Sequence, residues 1–351
     1  MPVFENDIKV STISDFIENC KKIFIGDIVK KEWSTEKPLQ FVPAQYLTDF
    51  KITEDNLGDN ITENITDLFF YLDSQSISNT QFPFCDRNTA VNKILPDFPF
   101  IGLVLQLLKS NKLNVHLIGL SDFLNEDRQI FLNQLARFDN FSIIIYQNYK
   151  NREIDKELLS IITEINAELV ISVDSGFDFE ILKEKAKNLQ CTNLKYSCEF
   201  EIISEDDFEK CETFISELEI QKYKTHPFYN NSNINFFEKN IFLSKEDIIE
   251  AKPTQKEIFA RKTINQLNFG KLYILPDGSV YSNLNAPRLG KMNIHNLEEL
   301  ILKEIYGQKN WFKLRKNVKP CKSCIYNSLC PPISNYEYAI GKFNLCHIFE
   351  N

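Results

Sequence analysis

The sequence predicts an α/β protein built on a parallel sheet, with a small cysteine-rich unit at its C-terminal end. Two observations carry this. Short β-branched or aromatic runs at 68–72, 115–119, 141–146, 169–173 and 194–203 alternate with helical stretches at 95–112, 125–137, 154–167, 177–189 and 205–218. Strands that return through a helix lie parallel, and helices then cover the sheet. In such folds the residues just past each strand form the working face. The second observation is the tail, where Cys321, Cys324, Cys330 and Cys346 stand in the order Cys-x2-Cys-x5-Cys-x15-Cys.

Four thiolates complete the first shell of one tetrahedral zinc or one iron–sulfur cluster, and a Cys-x2-Cys pair is the tight chelate with which such sites begin. These cysteines sit among polar and turn residues (Lys322, Ser323, Asn327, Pro331, Pro332), so core filling explains them poorly. A disulfide framework and unpaired thiols are the alternatives. Cys20, Cys85, Cys191, Cys198 and Cys211 lack chelate spacing and are expected to be ordinary packing. His347, beside Cys346, is an alternative ligand or a packed neighbour.

Composition narrows the setting. The chain has 351 residues, nine cysteines and a net charge of −9. It opens Met-Pro-Val-Phe-Glu-Asn, without the basic and apolar regions of a secretory signal, so a reducing cytoplasmic setting is expected. The longest apolar run, 98–108, is too short to span a bilayer. The acidic balance argues against a nucleic-acid partner. One stretch runs the other way: Lys309, Lys313, Arg315, Lys316, Lys319 and Lys322 occur with no acidic residue between them. A solvated helix face, compensation of a thiolate cluster, or docking of an acidic peptide would each explain it. Ten glycines and no Gly-x4-Gly-Lys or Gly-x-Gly-x2-Gly make a nucleotide cradle unexpected.

The strand ends carry a resemblance. Val115-His-Leu-Ile-Gly119-Leu-Ser-Asp122 resembles the strand and loop of radical S-adenosylmethionine enzymes in which Gly-Gly-Glu-Pro follows the second strand. Phe141 to Gln147-Asn148-Tyr149 resembles their strand ending in Thr-Asn-Gly, and Ser172-Val-Asp174-Ser-Gly176 resembles their Ser-x-Asp-Gly. The resemblance implies a partial (β/α)6, TIM-like barrel. Such enzymes need Cys-x3-Cys-x2-Cys after the first strand, whereas residues 73–80 contain no cysteine and Cys85 stands alone. Gly119-Leu120-Ser121-Asp122 also lacks the second glycine and the glutamate. A degenerate barrel, with no S-adenosylmethionine bound, is therefore expected.

Downstream, Leu272 to Gly278 and Asn283, then Leu289-Gly290, then Cys321, Cys324 and Cys330, look like the SPASM domain of peptide-modifying radical enzymes. That likeness implies two auxiliary [4Fe–4S] sites. Ligands of the first fall on Asn283 and Ser334, neither of which is cysteine. The second set maps onto Cys321, Cys324, Cys330 and Cys346, so one [4Fe–4S] cluster is implied, with zinc as the alternative. With four protein ligands no open position remains, and a structural role for the metal is expected.

Pro331-Pro-Ile-Ser-Asn335-Tyr336-Glu337, followed by Gly341-Lys-Phe-Asn344-Leu-Cys346, resembles the ending of SPASM-domain maturases of grasp-with-spasm systems. This resemblance implies a precursor peptide and an ATP-grasp ligase as partners, and maturation of a ribosomally made peptide as the role. The alternative is a redox-active iron–sulfur enzyme or electron-transfer protein acting on a peptide. Asn335, Tyr336 and Glu337 are expected to form a turn and short helix against the cluster, or to contact peptide or ligase. The organisation expected is a segment 1–66, which family analogy allows as a peptide-binding module, a barrel over 67–245 and the SPASM domain over 246–351. His116, His226 and His295 look isolated and structural.

Overall fold

The structure, a computed structural model, describes residues 62, 64–72, 98–108, 112–119, 126–150, 156–192, 194–293 and 296–349. The segment 1–66 lies almost wholly outside them, as do Cys20, Cys85, Asp122, His295 and the loop 73–80.

Six parallel strands follow one another in chain order: β1 (Asp67–Tyr71), β2 (Leu113–Ile118), β3 (Phe141–Asn148), β4 (Glu168–Val173), β5 (Tyr196–Ile202) and β6 (Tyr223–Pro227). The crossovers are α1 (Phe98–Leu107), α2 (Glu126–Leu135), α3 (Lys156–Glu164), α4 (Phe179–Gln190) and α5 (Glu205–Leu218). Each begins and ends within a few residues of the span its hydrophobic period predicts. Asp178 caps α4 by accepting from the amides of Glu180 and Ile181, and Ser204 caps α5 by accepting from that of Asp207.

The sixth strand was not evident in the sequence. Tyr223-Lys-Thr-His-Pro is short, polar and ended by proline, which cannot donate to a ladder. It stands at the edge of the sheet, where half-exposed polar residues guard against unwanted pairing.

On the other side of β1 lies β7 (Lys271–Ile274), parallel to it in the register Asp67↔Lys271 and Phe69↔Tyr273. Antiparallel β8 (Ser279–Tyr281) and β9 (Gly290–Lys291) complete a nine-stranded sheet ordered β6-β5-β4-β3-β2-β1-β7-β8-β9. The amides of Thr66 and Asp67 both donate to the Gly270 carbonyl at this junction. Gly270 has φ 74°, and a Cβ there would lie 2.6 Å from the Asn64 carbonyl oxygen, so only glycine fits. Ile61–Asn351 forms one compact unit.

The two faces of the sheet differ. Leu68, Phe70, Val115, Leu117, Ile143, Ile145, Leu169, Ile171, Val173, Cys198, Phe200 and Ile202 share one face and are all buried. The opposite face is aromatic near β1 and β7, where Phe69, Tyr71, Tyr273, Tyr281 and Leu284 pack together, and turns polar toward β5 and β6.

Beyond β6 the chain forms α6 (Ile234–Asn240), α7 (Lys245–Glu250), α8 (Gln255–Thr263), α9 (Leu297–Leu302) and α10 (Asn335–Ile340). Ser–Asp or Thr–Glu capping boxes start α7 and α8, and Ser334 with Glu337 starts α10. The last residues fold back on α6: the Leu243 amide donates to the Leu345 carbonyl, and the His347 amide donates to that of Leu243. Phe237, Phe242 and Leu345 seal this contact, with Tyr336 packed against them. Among the described residues no helix is long and apolar enough to cross a membrane.

Candidate functional site

The pleat sends alternate residues of each strand to the polar face. Register therefore aligns Phe69 with His116, Ile144 and Glu168, and Asn148 with Ser172, Glu199 and Lys224. His116 is not isolated. Its Nε2 lies 3.1 Å from Asp67 Oδ1, its Nδ1 lies 3.2 Å from the Tyr146 hydroxyl, and its ring stacks on Phe69 at 3.9 Å. Asn114 and Thr66 also donate to the Asp67 carboxylate, at 3.0 and 2.7 Å. Burial alone would raise the Asp67 pKa, but the bonds from His116 and Thr66 outweigh it and bring the group to about 2. Burial lowers the pKa of His116 more than Asp67 raises it. The neutral ring then donates to Asp67 through Nε2 and accepts from Tyr146 through Nδ1.

Two glutamates follow on β5. Glu199 lies 3.1 Å from Lys224 Nζ and 3.3 Å from His226 Nε2. Burial raises its pKa, yet His226 and Lys224 bring it below the ordinary glutamate value. Glu201, on the same face and 6% exposed, is pushed up to about 8 by burial and then by the charge of Asp174. Its Oε2 and the Oγ of Ser172 are buried and have no hydrogen-bond partner among the described residues. At the strand ends, Asn148 donates to Asp174 Oδ1 at 2.8 Å and Lys150 donates to Oδ2 at 2.9 Å. The motif ends read from β3 and β4 are thus tied to each other. The sequence signal for the glutamates was the alternation Ser197-Cys-Glu199-Phe-Glu201, polar on one side and apolar on the other.

In the tail, Cys321 and Cys330 are buried, and Cys324 and Cys346 are partly so. Burial raises the Cys330 thiol to about 11; Arg315 opposes this, and Cys321, Cys324 and Cys346 each add to it. The other three sulfurs therefore sit within electrostatic reach of Cys330. Among the described residues no three His, Cys, Asp or Glu donors are gathered in coordinating geometry. The donor set itself, four thiols around Cys330, suits a thiolate-bound zinc or cluster.

Within the basic stretch Arg315 is buried under this segment, while Lys309, Lys316, Lys319 and Lys322 are exposed, as a solvated basic surface would have them. The Arg315 guanidinium meets Glu337 at 2.9 and 3.1 Å, and it donates to the carbonyls of Pro331 and Phe343 at 2.6 and 3.0 Å. The local backbone is two short 3-10 turns, Asn310–Phe312 and Arg315–Asn317, and Lys313 Nζ rests over the rings of Phe343 and Tyr338 at 3.8 and 4.6 Å. Glu337 also accepts from the Ser334 amide and hydroxyl, at 2.8 and 3.0 Å. His347 lies 2.9 Å from the Glu238 carbonyl oxygen through Nε2 and packs on Phe242. Cys198 and Cys211 are buried packing, whereas Cys191 is exposed, contrary to expectation, because it caps the end of α4.

Asn283 is fully enclosed. It donates to Asn268 Oδ1 at 3.0 Å and to Asn335 Oδ1 at 2.6 Å, and accepts from the Asn285 amide at 2.8 Å. Beside it, the buried Glu304 accepts from the Ser282 hydroxyl at 2.5 Å, Asn310 at 3.2 Å and the Trp311 amide at 2.7 Å.

No family model matches the sequence, and no curated protein matches it. Among solved structures, the crystal structure of Streptococcus suis SuiB bound to S-adenosylmethionine aligns with 95% of this chain and 90% of that chain, at 12% identity and a TM-score of 0.42. An overlap of that size carries no argument about chemistry. What the described residues define by themselves is a mixed α/β protein with a largely parallel sheet, one face of which is polar, and a four-thiol tail.

Proposed function

We propose that this chain is a maturation protein for a ribosomally synthesised, post-translationally modified peptide. It binds the precursor on the polar face of a degenerate radical-S-adenosylmethionine-like barrel and acts with an ATP-grasp ligase, without radical chemistry of its own. Cys321, Cys324, Cys330 and Cys346 hold one [4Fe–4S] cluster, or zinc in its place, which fastens the SPASM-like tail.

The observation that carries the reading is the fate of Asn283 and Ser334. The resemblance places ligands of a first cluster there, and both side chains are instead committed to hydrogen bonds with Asn268, Asn335 and Glu337. A buried carboxamide lattice of this kind holds loops together; it offers no soft ligand to iron. The sequence keeps all four cysteines of the second set.

The test pairs two measurements on anaerobically prepared protein: co-purification with the products of neighbouring genes, any small peptide and ATP-grasp ligase among them, and incubation with S-adenosylmethionine and a strong reductant. Binding without 5′-deoxyadenosine is expected. Formation of 5′-deoxyadenosine by the chain overturns the proposal.

A further inference from the structure

We propose that Ser172, Asp174 and Glu201, where β4 and β5 end on the polar face, form a binding site for a cationic nitrogen, a primary ammonium or a guanidinium. The inference rests on these residues alone; where a peptide side chain supplies the cation, it deepens the peptide-handling reading.

Glu199 and Glu201 share a face; Glu199 is engaged by Lys224 and His226, and Glu201 by a hydrogen bond with Ser175 that leaves its second carboxylate oxygen over. Glu201 Oε2 and Ser172 Oγ are buried and find no partner among the described residues. Unsatisfied polar atoms in an interior cost stability and are few in folded proteins, so two on one sheet face mark a place where something else bonds. Ser172 pairs with Glu199 in the ladder, which puts Glu201 one diagonal step away, about 8 Å between Cα atoms from the strand spacing and rise. Two side chains at that separation can close on one nitrogen.

Charge decides the class of ligand. Around Glu201 stand Asp174 and Asp207, against Lys150, whose side chain is 59% exposed, and His226, the ladder partner of Glu201 on β6. An anion would meet carboxylates. A metal would need three donors in coordinating geometry, and none are so arranged among the described residues. A nitrogen bearing several N–H groups satisfies Glu201 Oε2 and Ser172 Oγ together and supplies the positive charge that Glu201 lacks. Burial with Asp174 nearby keeps Glu201 protonated near neutrality when nothing is bound, and a cation reverses that preference.

Calorimetric titration of the full chain with three probes tests this: n-butylammonium, acetyl-Ala-Lys-Ala-amide and acetyl-Ala-norleucine-Ala-amide. Binding of either cation, with the norleucine peptide weaker by roughly 30-fold or more, supports the site. Binding of the lysine peptide assigns the cation to a peptide side chain. Binding of butylammonium alone assigns it to a small free amine and leaves the peptide-handling reading to its own test. The isosteric E201Q is expected to lose roughly 30-fold for the cations, while E205Q on the exposed side of α5 changes nothing. Equal binding of lysine and norleucine peptides, or no binding of either cation, overturns the proposal. This wild-type comparison holds even if E201Q fails to fold.

Discussion

The guanidinium of Arg315 and the carboxylate of Glu337 meet in a two-point ion pair, at 2.9 and 3.1 Å, beneath the cysteine segment. Arg315 precedes the Cys-x2-Cys pair and Glu337 lies between the last two cysteines, so the pair ties together the loops that carry the thiols. Breaking one partner leaves the other buried and uncompensated. Glu337→Gln is expected to cost about 3–5 kcal/mol in urea unfolding. Arg315→Lys, which cannot make the fork, is expected to fall in the same direction. A loss below about 1 kcal/mol in both would contradict the assigned role.

Cys324→Ser is expected to abolish metal retention and loosen the chain from about residue 270 onward, with the helices around β1–β6 kept. Limited proteolysis with metal analysis checks this. Unchanged metal content and protease resistance would remove Cys324 from the ligand set, and Cys85→Ser is the control that should do little.

Asn283→Leu keeps the volume and removes the donor that reaches Asn268 and Asn335. Two buried acceptors then lose their partner, with an expected cost of roughly 2–4 kcal/mol. The competing view, an ordinary surface-like asparagine, predicts less than about 0.5 kcal/mol.

Glu201 gives a pH signature. Its folded-state pKa, about 8, stands above the unfolded glutamate value, so the folded state holds a proton that the unfolded state releases. Stability from this group is full below the unfolded value and is lost as pH rises toward about 8. Relative to wild type, Glu201→Gln is expected to gain roughly 2–4 kcal/mol at about pH 9 and nothing at about pH 4. A pH-independent difference in thermal melts would show that Glu201 does not titrate in this window.

The five strand–helix units were legible because β1 to β4 hold β-branched or aromatic runs, β5 alternates polar and apolar residues, and helical stretches separate them. The strand β6 was not, since an edge strand needs no apolar pattern. The pairing of β7 with β1 joins residues some 200 positions apart, and no local pattern encodes it. At the site, cysteine spacing announced the four thiols, whereas Asn283 and Ser334 read only as missing ligands. Their positive role depends on Asn268, Asn335 and Glu337, which only the folded chain brings near. Within the basic stretch Lys309, Lys316, Lys319 and Lys322 are exposed as expected, but charge on paper does not reveal direction, and Arg315 turns inward to a glutamate that follows the third cysteine.

The central claim is that one metal site remains in this chain and that Cys321, Cys324, Cys330 and Cys346 are its ligands. Iron and acid-labile sulfide per chain, measured after anaerobic reconstitution and desalting, test it most directly. The account predicts about four of each, lost together in Cys324→Ser, or one zinc in their place. About eight or more iron per chain, or a metal content indifferent to Cys324→Ser, would contradict it.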